Sequence, residues 1–170
     1  MPGAGGGWHR HHLTTTTTMK STRRNIQFSD FGQVVADVSE LQAKGYQRCG
    51  NWTLGQICDH LAIFMRGSLD GFSWNIPWIF RVTIGSFFLR RILRQKKMAA
   101  GVRVPKVFLP GEPTDDVTSV ETLLQLIRWY QNHTGPMVPS PLSGKLSRQE
   151  WDQLHLIHAA HHLSFLRVGS

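Results

Sequence analysis

The sequence predicts an all-α fold, a bundle of four helices, and three observations carry that prediction. Four apolar stripes recur at helical spacing, three S/T-x-x-E/Q capping pairs stand at helix starts, and no segment alternates apolar and polar residues as a half-buried strand does. No repeat of fixed period is present, and 170 residues suffice for one domain with a core of its own.

Residues 1–24 read as a disordered basic leader. They hold Gly5-Gly6-Gly7, His11-His12, the run Thr14 to Thr18 and the cations Arg10, Lys20, Arg23 and Arg24, but no apolar stretch of the kind a secretory signal needs. Met19 is an alternative start of translation to Met1. His9, His11 and His12 could take up metal adventitiously, although their composition is that of a flexible tail. The folded domain is placed at 25–168.

The first helix is expected from Ser29 to Lys44, capped by Ser29 or Asp30. Phe31, Val34, Val35, Val38 and Leu41 form its stripe, and Gly45 ends it in a left-handed conformation. The second starts at Thr53, whose capping partner is Gln56, and carries Leu54, Ile57, Cys58, Leu61, Phe64 and Met65 toward Leu69. Pro77, Pro105, Pro110 and Pro113 bracket an apolar, basic connection that has room for one or two short helices. Arg81, Arg90 and Arg91 interrupt it, so it is no membrane span, which needs about 20 apolar residues. The third helix is expected from Thr118, paired with Glu121, through Val120, Leu123, Leu124, Ile127 and Tyr130 to Gly135-Pro136. Pro139, Pro141 and Gly144 mark a loop. The fourth helix begins at Ser147, with Glu150 as capping partner and Leu146 and Trp151 as a hydrophobic staple, and runs to Leu166.

Composition narrows the class further. With 41% hydrophobic and 18% charged residues the chain is globular. Cys49 and Cys58 form no CxxC and no disulfide framework, which suits a reducing cytoplasm and plain buried thiols. The formal charge of +8 is local, concentrated in the leader and in Arg90, Arg91, Arg94, Lys96 and Lys97.

The chemistry-bearing residues are histidines. At about 100° per residue, His155, His158 and His162 lie within about 60° of one another on the fourth helix, while His161 turns toward a neighbouring face. His158 and His162 stand at i and i+4, the spacing that lets two imidazoles reach one ion. His60 borders the apolar stripe of the second helix and is the best third ligand, since bundle metal sites are built from facing helices. Three imidazoles would leave a tetrahedral ion one open position, the mark of a catalytic rather than a structural site. On spacing alone, the HxxxH pair could instead be partly exposed or hydrogen-bonded histidines with no ligand role. Asp59 and Glu150 are candidates to orient the ligands from behind, or are simply solvated. His155, with an ordinary pKa near about 6.5, is a candidate proton carrier or a packed structural residue.

Three stretches, NWTLGQICDHLA at 51–62, SLDGF at 68–72 and LSRQEWDQLHLIHAAHHLSFL at 146–166, resemble the DinB/YfiT-like superfamily, in a bacterial branch known only as a domain of unknown function. The resemblance spans about residues 23–166. It implies an up-down-down-up four-helix bundle with a long, partly helical connection between the second and third helices. It also implies a metal triad of one histidine from the second helix and an HxxxH pair from the last: His60, His158 and His162. Zinc or nickel is the implied ion. Some relatives are thiol-dependent transferases, others hydrolases or isomerases of small molecules. This chain departs from them in having Leu163-Ser164-Phe165 after the last histidine.

The leading expectation is therefore a cytoplasmic, divalent-metal-dependent enzyme acting on a small molecule, with a low-molecular-weight thiol as the candidate substrate and thiol transfer or hydrolysis as the reaction. The rivals are a non-enzymatic metal- or ligand-binding bundle, including a homodimer formed through its aromatic surface, and a peripheral binder of anionic membranes or nucleic acid through the Arg90 to Lys97 cluster. Nucleic acid is the least favoured partner.

Overall fold

In the computed structural model, residues 22–73, 77–99, 109–112 and 115–169 are described. The chain is mostly helical, in agreement with the all-α prediction. Its elements in order are α1 (Phe31–Lys44), β1 (Tyr46–Arg48), α2 (Leu54–Asp70), α3 (Trp78–Phe80), a π-helical turn (Arg81–Gly85), α4 (Ser86–Gln95), α5 (Asp116–Asn132), α6 (Arg148–Leu163) and β2 (Leu166–Val168).

Local chemistry sets most of the helix starts. Asp30 caps α1, accepting from the Gln33 amide, and the chain leaves the helix at Gly45 with φ 74° and ψ 171°, positive in φ but outside the left-handed helical basin expected there. Both reciprocal capping boxes form, Thr53 with Gln56 on α2 and Ser147 with Glu150 on α6. The third box does not. Asp115 caps α5 instead, accepting from both the amide and the hydroxyl of Thr118 at 3.0 Å, so the helix begins at Asp116 and Thr118 lies in its first turn. A carboxylate cap outcompetes a hydroxyl here because it also meets the positive end of the helix dipole.

The core lies between the four long helices. Val38 and Leu41 from α1, Leu54 and Ile57 from α2, Leu123 and Ile127 from α5 and Leu163 from α6 are at most 1% exposed. A second cluster, Leu89, Leu146, Trp151 and Leu154, attaches α4 to the start of α6 and contains both residues of the expected staple. Gly85 makes that attachment possible: a β-carbon there would fall 1.8 Å from the Leu142 carbonyl oxygen.

One hydrogen-bonded knot fixes how α2 and α5 lie together. The carboxylate of Asp116 accepts from the Gly55 amide at 2.7 Å and from the Tyr46 hydroxyl at 2.7 Å, while the Tyr46 oxygen accepts from the Leu54 amide at 3.0 Å. The first turn of α5 thereby supplies capping groups to the first turn of α2, so the two helices start side by side. Asp116→Ala leaves those donors unanswered and is expected to cost about 3 kcal/mol, read as a lower urea midpoint at unchanged m-value.

Two further features depart from the sequence reading. α6 ends at Leu163 rather than Leu166, and Leu166–Val168 pairs antiparallel with Tyr46–Arg48 in the register Tyr46↔Val168, Gln47↔Arg167 and Arg48↔Leu166. Strands of three residues are too short to show alternation. The leader also ends earlier than residue 24. Arg24 forms a two-pronged ion pair with Asp37 (2.7 and 2.8 Å) and its amide donates to Ser164 O at 2.8 Å, while Arg23 bonds the Ser164 hydroxyl and the His161 carbonyl. The rest of the expected leader, with its histidines, lies outside the described residues, as does part of the connection around Pro105 and Pro113. Among the described residues no helix is long and apolar enough to cross a membrane.

Candidate metal centre

α2 delivers His60 and α6 delivers His158 and His162 to one point. The His60 and His158 Nε2 atoms are 2.9 Å apart, and those of His158 and His162 are 3.0 Å apart. One ligand atom from each of the three residues lies within 4.8 Å of the other two. The rings are mutually steep, at 75°, 68° and 75°, so they meet edge to face rather than stacking on one another. Two nitrogens bound tetrahedrally at about 2.0–2.1 Å would sit about 3.3 Å apart, slightly wider than here.

Hydrogen bonding alone serves this geometry poorly. A neutral imidazole nitrogen carries either one proton or one lone pair, so His158 Nε2 can serve both close neighbours only by sharing one lone pair between two donors. Its Nδ1 is buried without a hydrogen-bond partner. A cation among the three Nε2 lone pairs would satisfy all of them at once. The residues present fit such an ion.

Burial keeps His158 and His162 in the neutral form that binds metal. His60 and His158 are 5% and 7% exposed, and His162 is half-buried. Loss of hydration pushes the pKa of His158 well below its ordinary value and that of His162 down to about 2, with the neighbouring rings adding to each shift. Trp52 stacks on His162 (5.2 Å, 13°) and tilts against His60, and Phe64 meets His158 edge-on at 4.8 Å. These two aromatic walls were not legible in the sequence: Trp52 precedes its helix, and Phe64 reads as an ordinary stripe residue. The β1–β2 pairing, together with the Cys49 amide donating to Phe165 O at 2.9 Å, ties the end of α6 to the segment that carries Trp52.

The other candidates go elsewhere. His155 is enclosed by Trp151, stacked at 5.3 Å, Tyr130 and Phe64. The Ser68 hydroxyl donates to Met65 O at 2.6 Å, so it accepts from His155 Nε2 at 3.0 Å, which fixes the tautomer. Burial lowers the His155 pKa to about 3. His161 lies outside the triad, with its Nδ1 3.0 Å from an Arg23 guanidinium nitrogen and 3.2 Å from Met98 O, and a pKa pushed down to about 4 by burial and then by that guanidinium. Glu150 does not back the ligands; both its hydrogen bonds go to Ser147 in the capping box. Cys58 is a buried thiol whose pKa burial raises, as expected, whereas Cys49 is only half-buried and directs its S–H toward Phe165 O at 3.1 Å.

The family described as a protein of unknown function, DUF1569, matches residues 20–168. This chain belongs to that family. No curated protein and no solved structure matches it. The DUF1569 match covers all four long helices, so the three histidines lie within the family domain rather than on an appendage to it.

Proposed function

We propose that this DUF1569 chain is a DinB/YfiT-like four-helix bundle that holds one divalent ion, zinc or nickel, on His60, His158 and His162 and uses it on a small-molecule substrate. The single observation that carries the reading is the convergence of the three rings, with His158 Nε2 2.9 and 3.0 Å from the Nε2 atoms of His60 and His162, a spacing that one cation among the three lone pairs accounts for. The side-by-side starts of α2 and α5 support the bundle reading, because helices that begin together run in parallel, as the middle pair of an up-down-down-up bundle does.

When bound, such an ion supplies Lewis acidity, lowering the pKa of a water or thiol at its open position toward neutrality. The chain's own residues supply the rest. His60 and His158 present water-shielded imidazoles, and half-buried His162 marks the side from which a substrate would approach. Trp52 and Phe64 exclude water from two sides and keep the rings from turning. His155 positions α6 against α2 through Ser68. Thiol transfer and hydrolysis both need only an activated nucleophile of this kind, and they are the reactions we propose to screen.

Protein purified without a tag and without a nickel column is expected to carry close to one zinc or nickel per chain by elemental analysis. A metal content far below stoichiometric, unchanged after incubation with either ion, would overturn the proposal. The near-complete burial of His60 and His158 favours a second reading, a shielded ion that stabilises or senses without turnover. Cobalt substitution separates the two: a visible spectrum that shifts when a small thiol is added supports an open position, and an unresponsive one supports the shielded ion.

A further inference from the structure

Among the described residues, every large apolar side chain more than half exposed lies within one short segment. Trp78 (66%), Ile79 (52%), Phe80 (51%), Ile84 (54%), Phe87 (66%) and Phe88 (55%) project from α3, the π turn and α4. The opposite side of this segment is anchored through buried Leu89, through Gly85 against Leu142, and through the Ser143 hydroxyl donating to Gly85 O at 3.2 Å. The apolar face is therefore held outward by packing rather than left loose. The π turn contributes to its alignment. In an uninterrupted α-helix, residues four apart drift about 40° per step, whereas a wider turn takes up that drift, and Phe80, Ile84 and Phe88 are all similarly exposed.

Charge points the same way. Residues 71–111 contain no Asp or Glu and eight Lys or Arg, while the rest of the chain balances eleven cations against eleven carboxylates. The whole formal charge of +8 thus belongs to the connection that bears the aromatic face. Arg90, Arg91, Arg94, Lys96 and Lys97 are exposed at its C-terminal end. Lys96 and Lys97 also line a cleft of about 230 Å3 together with Arg23, Asn25 and His161.

We propose that this segment docks on an anionic lipid surface: the six apolar side chains enter the headgroup boundary, and the cations at the end of α4 hold lipid phosphates. A strongly amphipathic helix of 18 residues, Trp78 to Gln95 and about 27 Å long, lies in the plane of an interface and does not span it. Snorkelling arginines and an exposed tryptophan suit that boundary. A second copy of the chain is a poorer occupant, because two such faces would bring two unbalanced cationic clusters together. Nucleic acid answers the cations but gains little from Ile79 and Ile84.

The test uses the full chain with vesicles of phosphatidylcholine alone or with added phosphatidylglycerol, read by cosedimentation at low and high salt. Binding is expected only with phosphatidylglycerol, falling as salt rises. Phe87→Ser with Phe88→Ser is expected to weaken it about a hundredfold, since each ring withdrawn forfeits about tenfold or more. Arg90→Gln, Arg91→Gln and Arg94→Gln together are expected to do the same, at about fivefold per charge. All five side chains are exposed, so circular dichroism and Tm should be unchanged in both variants. Failure of the parent protein to bind at low salt overturns the proposal. So does vesicle binding that survives loss of the two phenylalanines, which would assign the cations to a polyanion. A dimer in sedimentation velocity that those same two substitutions abolish also overturns it, in favour of a second copy.

Discussion

His158→Ala is expected to lose stoichiometric metal, whereas His161→Ala, three residues along the same helix, keeps it. His158 is the hub of the cluster: its Nε2 touches both other ligands, at 2.9 and 3.0 Å, and His161 faces Arg23 instead. Zinc at a four-ligand protein site is worth about 10–16 kcal/mol, so one ligand accounts for about 3 kcal/mol, or roughly a hundredfold in affinity. Because only the folded chain offers the site, a hundredfold weaker ion stabilises by about 2.7 kcal/mol less at a fixed excess of metal. Thermal unfolding with and without chelator measures both quantities. If His158→Ala keeps one ion per chain and the parent's metal-dependent Tm gain, the three-histidine centre is wrong whatever the activity screens show.

Acid is expected to unfold the protein steeply below pH 6.5, even when no metal is present. The sign follows from the direction of the shifts. His155 has its pKa lowered in the fold from 6.5 to about 3, so it is neutral when folded and readily protonated when unfolded. Its stabilisation is complete above pH 6.5 and is lost as pH falls from there toward the folded value. Within that window each such group removes about 1.4 kcal/mol per pH unit. His158 and His162 shift in the same direction, so three buried rings together give about 4 kcal/mol per unit, enough to consume a typical domain stability of 5–15 kcal/mol within about one to four units. Urea titrations at several pH values should show the slope, and His155→Gln should make it shallower. A stability that is flat between pH 6.5 and 4.5 would mean that these rings are hydrated or charged in the folded chain.

What the sequence revealed was what is local. The starts of α2 and α6 were legible because Thr53 and Gln56, and Ser147 and Glu150, complete their capping boxes within four residues. Thr118 and Glu121 carry the same pattern, but the pattern does not include Asp115, three residues upstream of Thr118, which takes its amide and hydroxyl. The triad was legible because two ligands share a helix turn and the third borders a stripe. Spacing alone put His155 on the same wall; its hydrogen bond to Ser68 and its cage of Trp151, Tyr130 and Phe64 come from tertiary packing. The β1–β2 pairing joins residues about 120 positions apart and leaves no periodic trace at either end. Arg23 and Arg24 looked like tail by composition, and only their partners Ser164 and Asp37 reveal otherwise.

The separation of the ligands along the chain also sets an order of assembly. His60 is made 98 residues before His158. At about 5–20 residues per second, a nascent chain carries a lone second-helix histidine for about 5–20 s before the other two exist. Through that interval α1 and α2, and α5 once it is made, lack the helix that covers their apolar faces, and the pairing that ties α6 in place forms only with β2. An ion held by all three histidines would therefore mark chains whose α6 has been made and packed, and it would leave chains that lack it to the cell's chaperones and proteases.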